Sequence, residues 1–109
     1  MDKIINVVFY QTKQGKEPVK EWLMTLREYD RKVGTEIKTV EYGWPLGMPL
    51  VRSLSSGLWE VRIDILHGIA RVLFSLVNNQ MVLLHGFIKK SQKTPKPDLE
   101  LALKRMKDI

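Results

Sequence analysis

Basic side chains in the second half of the chain are the residues best suited to chemistry. They fall in or just after segments that predict strands, and they are Arg62, Arg71, His85, Lys89, Lys90, Lys93 and Lys96. The planar guanidinium of arginine binds phosphate through two parallel hydrogen bonds. Histidine is the side chain whose ordinary pKa suits proton transfer near neutral pH. Together these residue types predict a site for a phosphodiester.

Cleavage of an RNA phosphodiester requires little beyond such a group of cations. The 2′-hydroxyl loses a proton, the phosphorane gains negative charge, and the 5′-oxygen takes up a proton as it leaves. Arg62 and Arg71 would stabilise the phosphorane without a metal ion, and His85 would move a proton. RNA contacts would come from Lys93, Lys96 and Phe87, the last by stacking on a base.

Each of these residues also has a structural interpretation. If a tight turn joins the two central segments, Asp64 lies opposite Arg71, and a cross-strand ion pair explains Arg71 without a ligand. His85 lies in an apolar run, where packing is as good an explanation as proton transfer. Phe87 in a strand is more often a core residue.

The amino-acid composition limits the kinds of functional site that this chain can form. The chain has 109 residues, 44% of them hydrophobic, and no cysteine. This predicts one domain over residues 1–109 and excludes disulfides, thiolate zinc sites and a cysteine nucleophile. Two histidines without paired spacing predict neither a metal nor a cofactor. No apolar stretch approaches the roughly 20 residues of a membrane span, so we expect a cytoplasmic protein.

Positive charge is concentrated towards the end of the sequence. The net charge is +6, and residues 83–109 hold seven basic against three acidic residues. A charge run of this kind is most often a solvated loop. The clustering equally fits an anionic partner such as a nucleic acid.

Hydrophobic patterns predict the elements that must position these side chains. A short β-branched and aromatic run over residues 4–10 predicts a buried strand. Helical spacing predicts a helix from Glu17 and a second one after Asp30 as its N-cap. Pro45, Gly47 and Pro49 end the second helix.

Residues 58–65, 69–77 and 81–88 alternate in the manner of strands. In the last of them the length of the preceding turn decides which side chains face the arginines. A three-residue turn would place His85, Phe87 and Lys89 on the face of Arg62 and Arg71. A two-residue turn would reverse this assignment.

The order of the elements predicts an α+β fold. A final helix that opens at Pro97 and Asp98 completes the order β-α-α-β-β-β-α. This order predicts a mostly antiparallel four-stranded sheet, with an N-terminal helical hairpin on one face and a C-terminal helix.

Four segments of the chain resemble a known family. They are KEPVKEWL, GLWEVRID, ARVLFSLV and LLHGFIKKSQKTPKPDLELALKRM, and they are similar to the phage-derived Gp49-like, HigB-type branch of the RelE/ParE toxin superfamily. The resemblance covers nearly the whole chain. Its most specific part is HGFIKKSQKTP followed by an amphipathic helix.

The resemblance implies a compact RelE-like fold and the toxin of a type II toxin-antitoxin pair. Such toxins usually act as mRNA interferases on the ribosome, and their partner is a cognate antitoxin. In HigB-type systems this HigA-like antitoxin commonly carries a helix-turn-helix domain, and the complex represses its own operon. ParE-like members of the superfamily instead poison DNA gyrase. A basic phage protein that binds RNA or protein without catalysis is a third class.

Residue by residue, the resemblance extends to the basic positions. Arg62, Arg71 and either Lys89 or Lys90 match the basic positions that bind or stabilise phosphate in RelE-like enzymes. A tyrosine often follows the last of these in RelE-type sites, whereas this chain has lysines and a threonine there. The resemblance therefore leaves His85 and Lys93 as the candidates for general acid or base.

Overall fold

Alternating side chains in the second half of the chain form the sheet on which the other elements pack. The computed structural model describes residues 3–109, except for the side chain of Tyr29. The elements are β1 (Asn6–Phe9), α1 (Pro18–Thr25), α2 (Lys32–Gly43), β2 (Val51–Ser55), β3 (Leu58–Ile65), β4 (Gly68–Val77), β5 (Gln80–Lys89) and α3 (Lys96–Met106), with a 3-10 turn at Glu28–Asp30. The predicted α+β class is confirmed.

The sheet is mixed and has five strands in the order β1-β5-β4-β3-β2. β1 runs parallel to β5, and the other neighbours are antiparallel. The prediction of four strands was wrong because it missed β2. That strand has only five residues, two of them serine, so it carries little of the β-branched signal of a strand. It matters for the site because it places Arg52 opposite Glu60.

The helices α1 and α2 cover one face of the sheet, as predicted. Val19, Val33 and Val40 are buried there against the apolar side of β3 and β4. The start of α2 differs from the prediction. Asp30 ends the 3-10 turn, and the residue at the N-cap of α2 is Arg31, without a side-chain cap.

The helix α3 covers the opposite face and creates a second core. Leu73 and Leu84 are fully buried beneath Ala102 of α3. Arg105 Nη1 donates a hydrogen bond of 2.8 Å to the carbonyl oxygen of Leu84. The central strands are therefore covered on both sides, which explains why β4 is buried along most of its length.

The turn between β4 and β5 has two residues rather than three. Asn78 and Asn79 have φ angles of 50° and 64°, the left-handed values that a tight hairpin requires. Met81 and Leu83 consequently face the helical hairpin.

A β-bulge then reverses the side-chain pattern of β5. Leu73 pairs with His85 and Phe74 with Leu83, so Leu84 is the extra residue. Beyond the bulge, His85, Phe87 and Lys89 of β5 therefore lie on the same face of the sheet as Arg62 and Arg71. The helix α3 partly covers this face. A three-residue turn was expected to place these three side chains on that face, and a two-residue turn followed by a bulge places them there instead.

Candidate nucleic-acid site

A buried carboxylate lies among the arginines. Glu60 has 0% of its surface exposed, and it lies in β3 between β2 and β4. Its Oε1 is 3.7 Å from Arg62 Nε and 3.9 Å from Arg52 Nε. Its Oε2 accepts a hydrogen bond of 2.6 Å from Thr94 Oγ1. A buried charge of this kind is tolerated only with such partners.

Arg71 lies beneath the segment that joins β5 to α3. We call residues 90–95 the basic loop. The guanidinium of Arg71 donates to the carbonyl oxygens of Ser91 and Lys93 and is fully buried. Burial lowers the pKa of Arg71, the charge of Glu60 raises it, and Arg62 lowers it again. Through its two hydrogen bonds to the loop carbonyls, Arg71 holds the basic loop against the sheet.

The predicted ion pair between Asp64 and Arg71 is absent. Arg62 is the residue opposite Arg71, and Asp64 lies opposite Ile69. The loop carbonyls take the place that an aspartate partner was expected to fill.

Two further contacts join the arginines to the basic loop. Arg62 Nη2 donates to Gln92 Oε1 at 3.2 Å, and Arg52 Nη2 donates to Thr94 Oγ1 at 3.4 Å. The exposed basic side chains around the loop are Lys89, Lys90, Lys93 and Lys96. We call Arg52, Arg62 and Arg71 the arginine cluster. The cluster and the lysines together give this end of the sheet a positive surface.

His85 lies away from the arginine cluster. It is in the same row as Glu60 with Leu73 between them, a separation of about 10 Å for two strand spacings. Its Nε2 is 2.7 Å from Asp98 Oδ1 in the first turn of α3. The structure thus places the histidine on the predicted face but pairs it with a carboxylate and not with an arginine.

Phe87 is buried, with 7% of its surface exposed. The Arg71 guanidinium lies 5.9 Å from the centre of its ring, and the His85 ring stacks on it with centres 5.2 Å apart. Its expected role of stacking on a base does not fit this position. Phe87 is instead a core residue between two polar ones.

Sequence reasoning gave no role in the site to four residues of this arrangement, which are Arg52, Glu60, Gln92 and Thr94. Arg52 was missed together with β2. The signal for Glu60 was present, since an acidic residue two positions from Arg62 in an alternating strand must share its face. The contacts of the basic loop had no sequence signal, because they depend on the path of the loop.

Metal binding requires several ligands that converge. Within residues 3–109 no group of three or more histidine, cysteine, aspartate or glutamate side chains is placed to hold a metal ion.

The fold and the site define a small basic α+β protein with three arginines around a buried glutamate at one end of its sheet. The model of the family described as "Phage derived protein Gp49-like (DUF891)" matches residues 21–107. The chain belongs to this family, which is a RelE/HigB-like toxin family of toxin-antitoxin systems. Membership implies an antitoxin as partner. No curated protein matches the chain.

The helices α1, α2 and α3 have 8, 12 and 11 residues, whereas a membrane span needs about 20 apolar residues. None in the described part of the chain is long and apolar enough to cross a membrane.

Proposed function

We propose that this chain is a single-domain, HigB-type toxin over residues 1–109. It acts as a ribosome-dependent mRNA interferase, a metal-independent endoribonuclease that stops translation in the cytoplasm. The observation that carries the proposal is the arginine cluster around Glu60 beneath a loop of exposed lysines. Three guanidiniums against one carboxylate leave a net positive site, which suits the charge of a phosphorane.

Arg62 is the residue of the cluster proposed to contact the scissile phosphate. Its side chain is 14% exposed and its guanidinium is held by Glu60 and Gln92. Lys89 and Lys90 are proposed to complete the phosphate site at the end of β5. Lys93 and Lys96, both exposed, would contact the RNA backbone.

Arg71 is proposed as a positioning residue. The sequence suggested a direct phosphate contact, but a fully buried guanidinium that donates to two loop carbonyls acts through the loop. Its hydrogen bonds fix Lys93 above the arginine cluster.

His85 and Lys93 are the two proposed proton donors or acceptors. Asp98 orients the His85 imidazole through Nε2, which leaves Nδ1 for proton transfer. Lys93 lies nearer the cluster, because its own carbonyl oxygen accepts from Arg71. A lysine used in this way needs a lowered pKa, whereas a histidine does not.

The proposed partners are mRNA, the ribosome and a HigA-like antitoxin with a helix-turn-helix domain. The family supports an antitoxin in general, and the positive surface supports an anionic target.

Cleavage of a translated message tests this proposal. Purified protein added to an in vitro translation reaction should produce discrete cuts within the reading frame, mapped by primer extension. The same message without ribosomes should stay intact. Growth arrest with intact mRNA and inhibited supercoiling would contradict the proposal and favour a gyrase poison.

A further inference from the structure

A cleft lies beside the arginine cluster. It has a volume of about 690 Å³, which is in the range of pockets that enclose a small organic group. Strand β2 pairs with β3 only as far as Val61, and the N–H of Arg62 donates to the carbonyl oxygen of Leu50. The cleft opens beyond this point, where the outer edge of β3 has no neighbouring strand. Arg62 and Gln92 line it. The cleft is therefore continuous with the proposed phosphate site.

The walls of the cleft combine apolar groups with side chains of both charges. Leu50, Ile63 and Ile69 supply an apolar surface, and Met48, with 63% of its surface exposed, lies at the margin. An apolar wall beside a phosphate-binding arginine suits a flat aromatic ring better than a second phosphate.

Two carboxylates also line the cleft, Glu36 from α2 and Asp64 from β3, and Lys32 of α2 is a second cation there besides Arg62. Neither has a hydrogen-bond or ion-pair partner within residues 3–109. A carboxylate repels phosphate, but it accepts hydrogen bonds from N–H groups. In a nucleotide those donors are on the base, and the exocyclic amino groups of guanine, adenine and cytosine are the most prominent.

We propose that this cleft binds the base next to the phosphate held by Arg62, and that Glu36 and Asp64 select bases with an exocyclic amino group over uracil. The inference rests on the proposed function, because it takes RNA as the ligand. Uracil offers the two carboxylates only its single ring N–H, because its carbonyl oxygens accept and do not donate.

Titration with mononucleotides tests the inference without ribosomes or cleavage. The wild-type protein is titrated separately with GMP, AMP, CMP and UMP, and backbone amide shifts report the affinity and the location. A charge-assisted hydrogen bond contributes about 1.5 kcal/mol or more, so each amino-bearing nucleotide should bind about tenfold more tightly than UMP. The shifts should centre on Ile63, Asp64 and Ile69.

The variant Glu36→Gln with Asp64→Asn should lose this preference, because an amide both donates and accepts. Glu100→Gln, on the exposed side of α3, is the matched control and should keep it. Equal affinity for all four nucleotides, a preference that survives in the double variant, or shifts that avoid the cleft would each overturn the inference.

The two proposals fail separately in these experiments. A base preference in the titration together with an uncut translated message would overturn the nuclease and leave the cleft assignment in place. Cleavage without a base preference in the titration would overturn the cleft assignment alone.

Discussion

Glu60 is the residue on which the arrangement of the arginines depends. Its carboxylate is fully buried and lies within 4 Å of Arg52 Nε and Arg62 Nε. Without it, the guanidiniums would repel one another in a poorly solvated site. It also accepts from Thr94 and so helps to hold the basic loop. Glu60 is thus a positioning residue for the proposed site.

Replacing Glu60 with glutamine should destabilise the fold. Loss of one partner from a buried ion pair costs about 3–5 kcal/mol, so we expect the free energy of unfolding in denaturant to fall by about 3 kcal/mol. Glu100→Gln breaks only the exposed pair with Lys96 and should change it by less than about 1 kcal/mol. A Glu60→Gln protein as stable as wild type would contradict the role given to this carboxylate.

At the scale of elements, α1 meets β5 where a glycine leaves room for it. A Cβ at Gly86 would lie 2.4 Å from the ring of Trp22, closer than real side chains approach. The absence of a side chain at Gly86 therefore sets the spacing between α1 and the strand that carries His85.

Gly86→Ala should lower the melting temperature, because overpacking of this contact costs about 1–3 kcal/mol. Gly34→Ala is the matched control. A Cβ at Gly34 in α2 would meet nothing within 4 Å, and alanine favours helix, so its melting temperature should be unchanged or higher. Equal melting temperatures for the two variants would show that Trp22 does not pack as described.

The segment after α3 is tied to the start of the chain by Tyr10. Its hydroxyl donates a hydrogen bond of 2.8 Å to Asp108 Oδ2. This hydrogen bond, together with burial, raises the pKa of Tyr10 above its ordinary value. A group with a raised pKa in the folded state stabilises the fold below its unfolded pKa and loses that contribution as pH rises through the folded value.

Stability should therefore fall above about pH 10 more steeply in wild type than in Tyr10→Phe. Denaturant unfolding from pH 8 to pH 11 measures this, and the difference between the two proteins removes the contribution of other titrating groups. Parallel curves for wild type and Tyr10→Phe would exclude the proposed link between Tyr10 ionisation and its hydrogen bond to Asp108.

At the scale of the whole molecule, the net charge of +6 predicts strongly salt-dependent RNA binding. Each phosphate contact to single-stranded RNA contributes about 0.7 to the slope of log K against log salt. Charge reversal at Lys89 and Lys90 should weaken binding and reduce the slope by about 1.4. The same change at the exposed Lys104 and Lys107 should have a smaller effect, and identical slopes for the two variants would contradict the proposed surface.

How much of the fold the sequence predicted depends on how local the determinant is. The alternation of β3 placed Arg62 and Glu60 on one face correctly, because strand periodicity is a local property. The side-chain pattern of β5 depended on a two-residue turn and a bulge at Leu84 whose effects offset each other. Neither event is encoded by periodicity alone.

The candidate site was less predictable than the fold. Arg71 was expected to meet a carboxylate or a phosphate, but its partners are backbone carbonyls of the basic loop, which any sequence supplies. Arg52 depended on β2, whose short polar sequence gave no signal. Side chains that bind the backbone of a distant loop cannot be inferred from their own surroundings in the sequence.

The proposed nuclease activity requires the arginine cluster to stabilise a phosphorane on translated mRNA. The most direct test is the rate of mRNA cleavage in an in vitro translation reaction by wild type, Arg62→Ala and Arg31→Ala. Loss of one charged donor lowers a catalytic rate about 100-fold or more, so the cleavage rate of Arg62→Ala should fall by that factor. Arg31 is exposed, so Arg31→Ala should cleave like wild type. Equal cleavage by Arg62→Ala and wild type would contradict the proposed role of the arginine cluster.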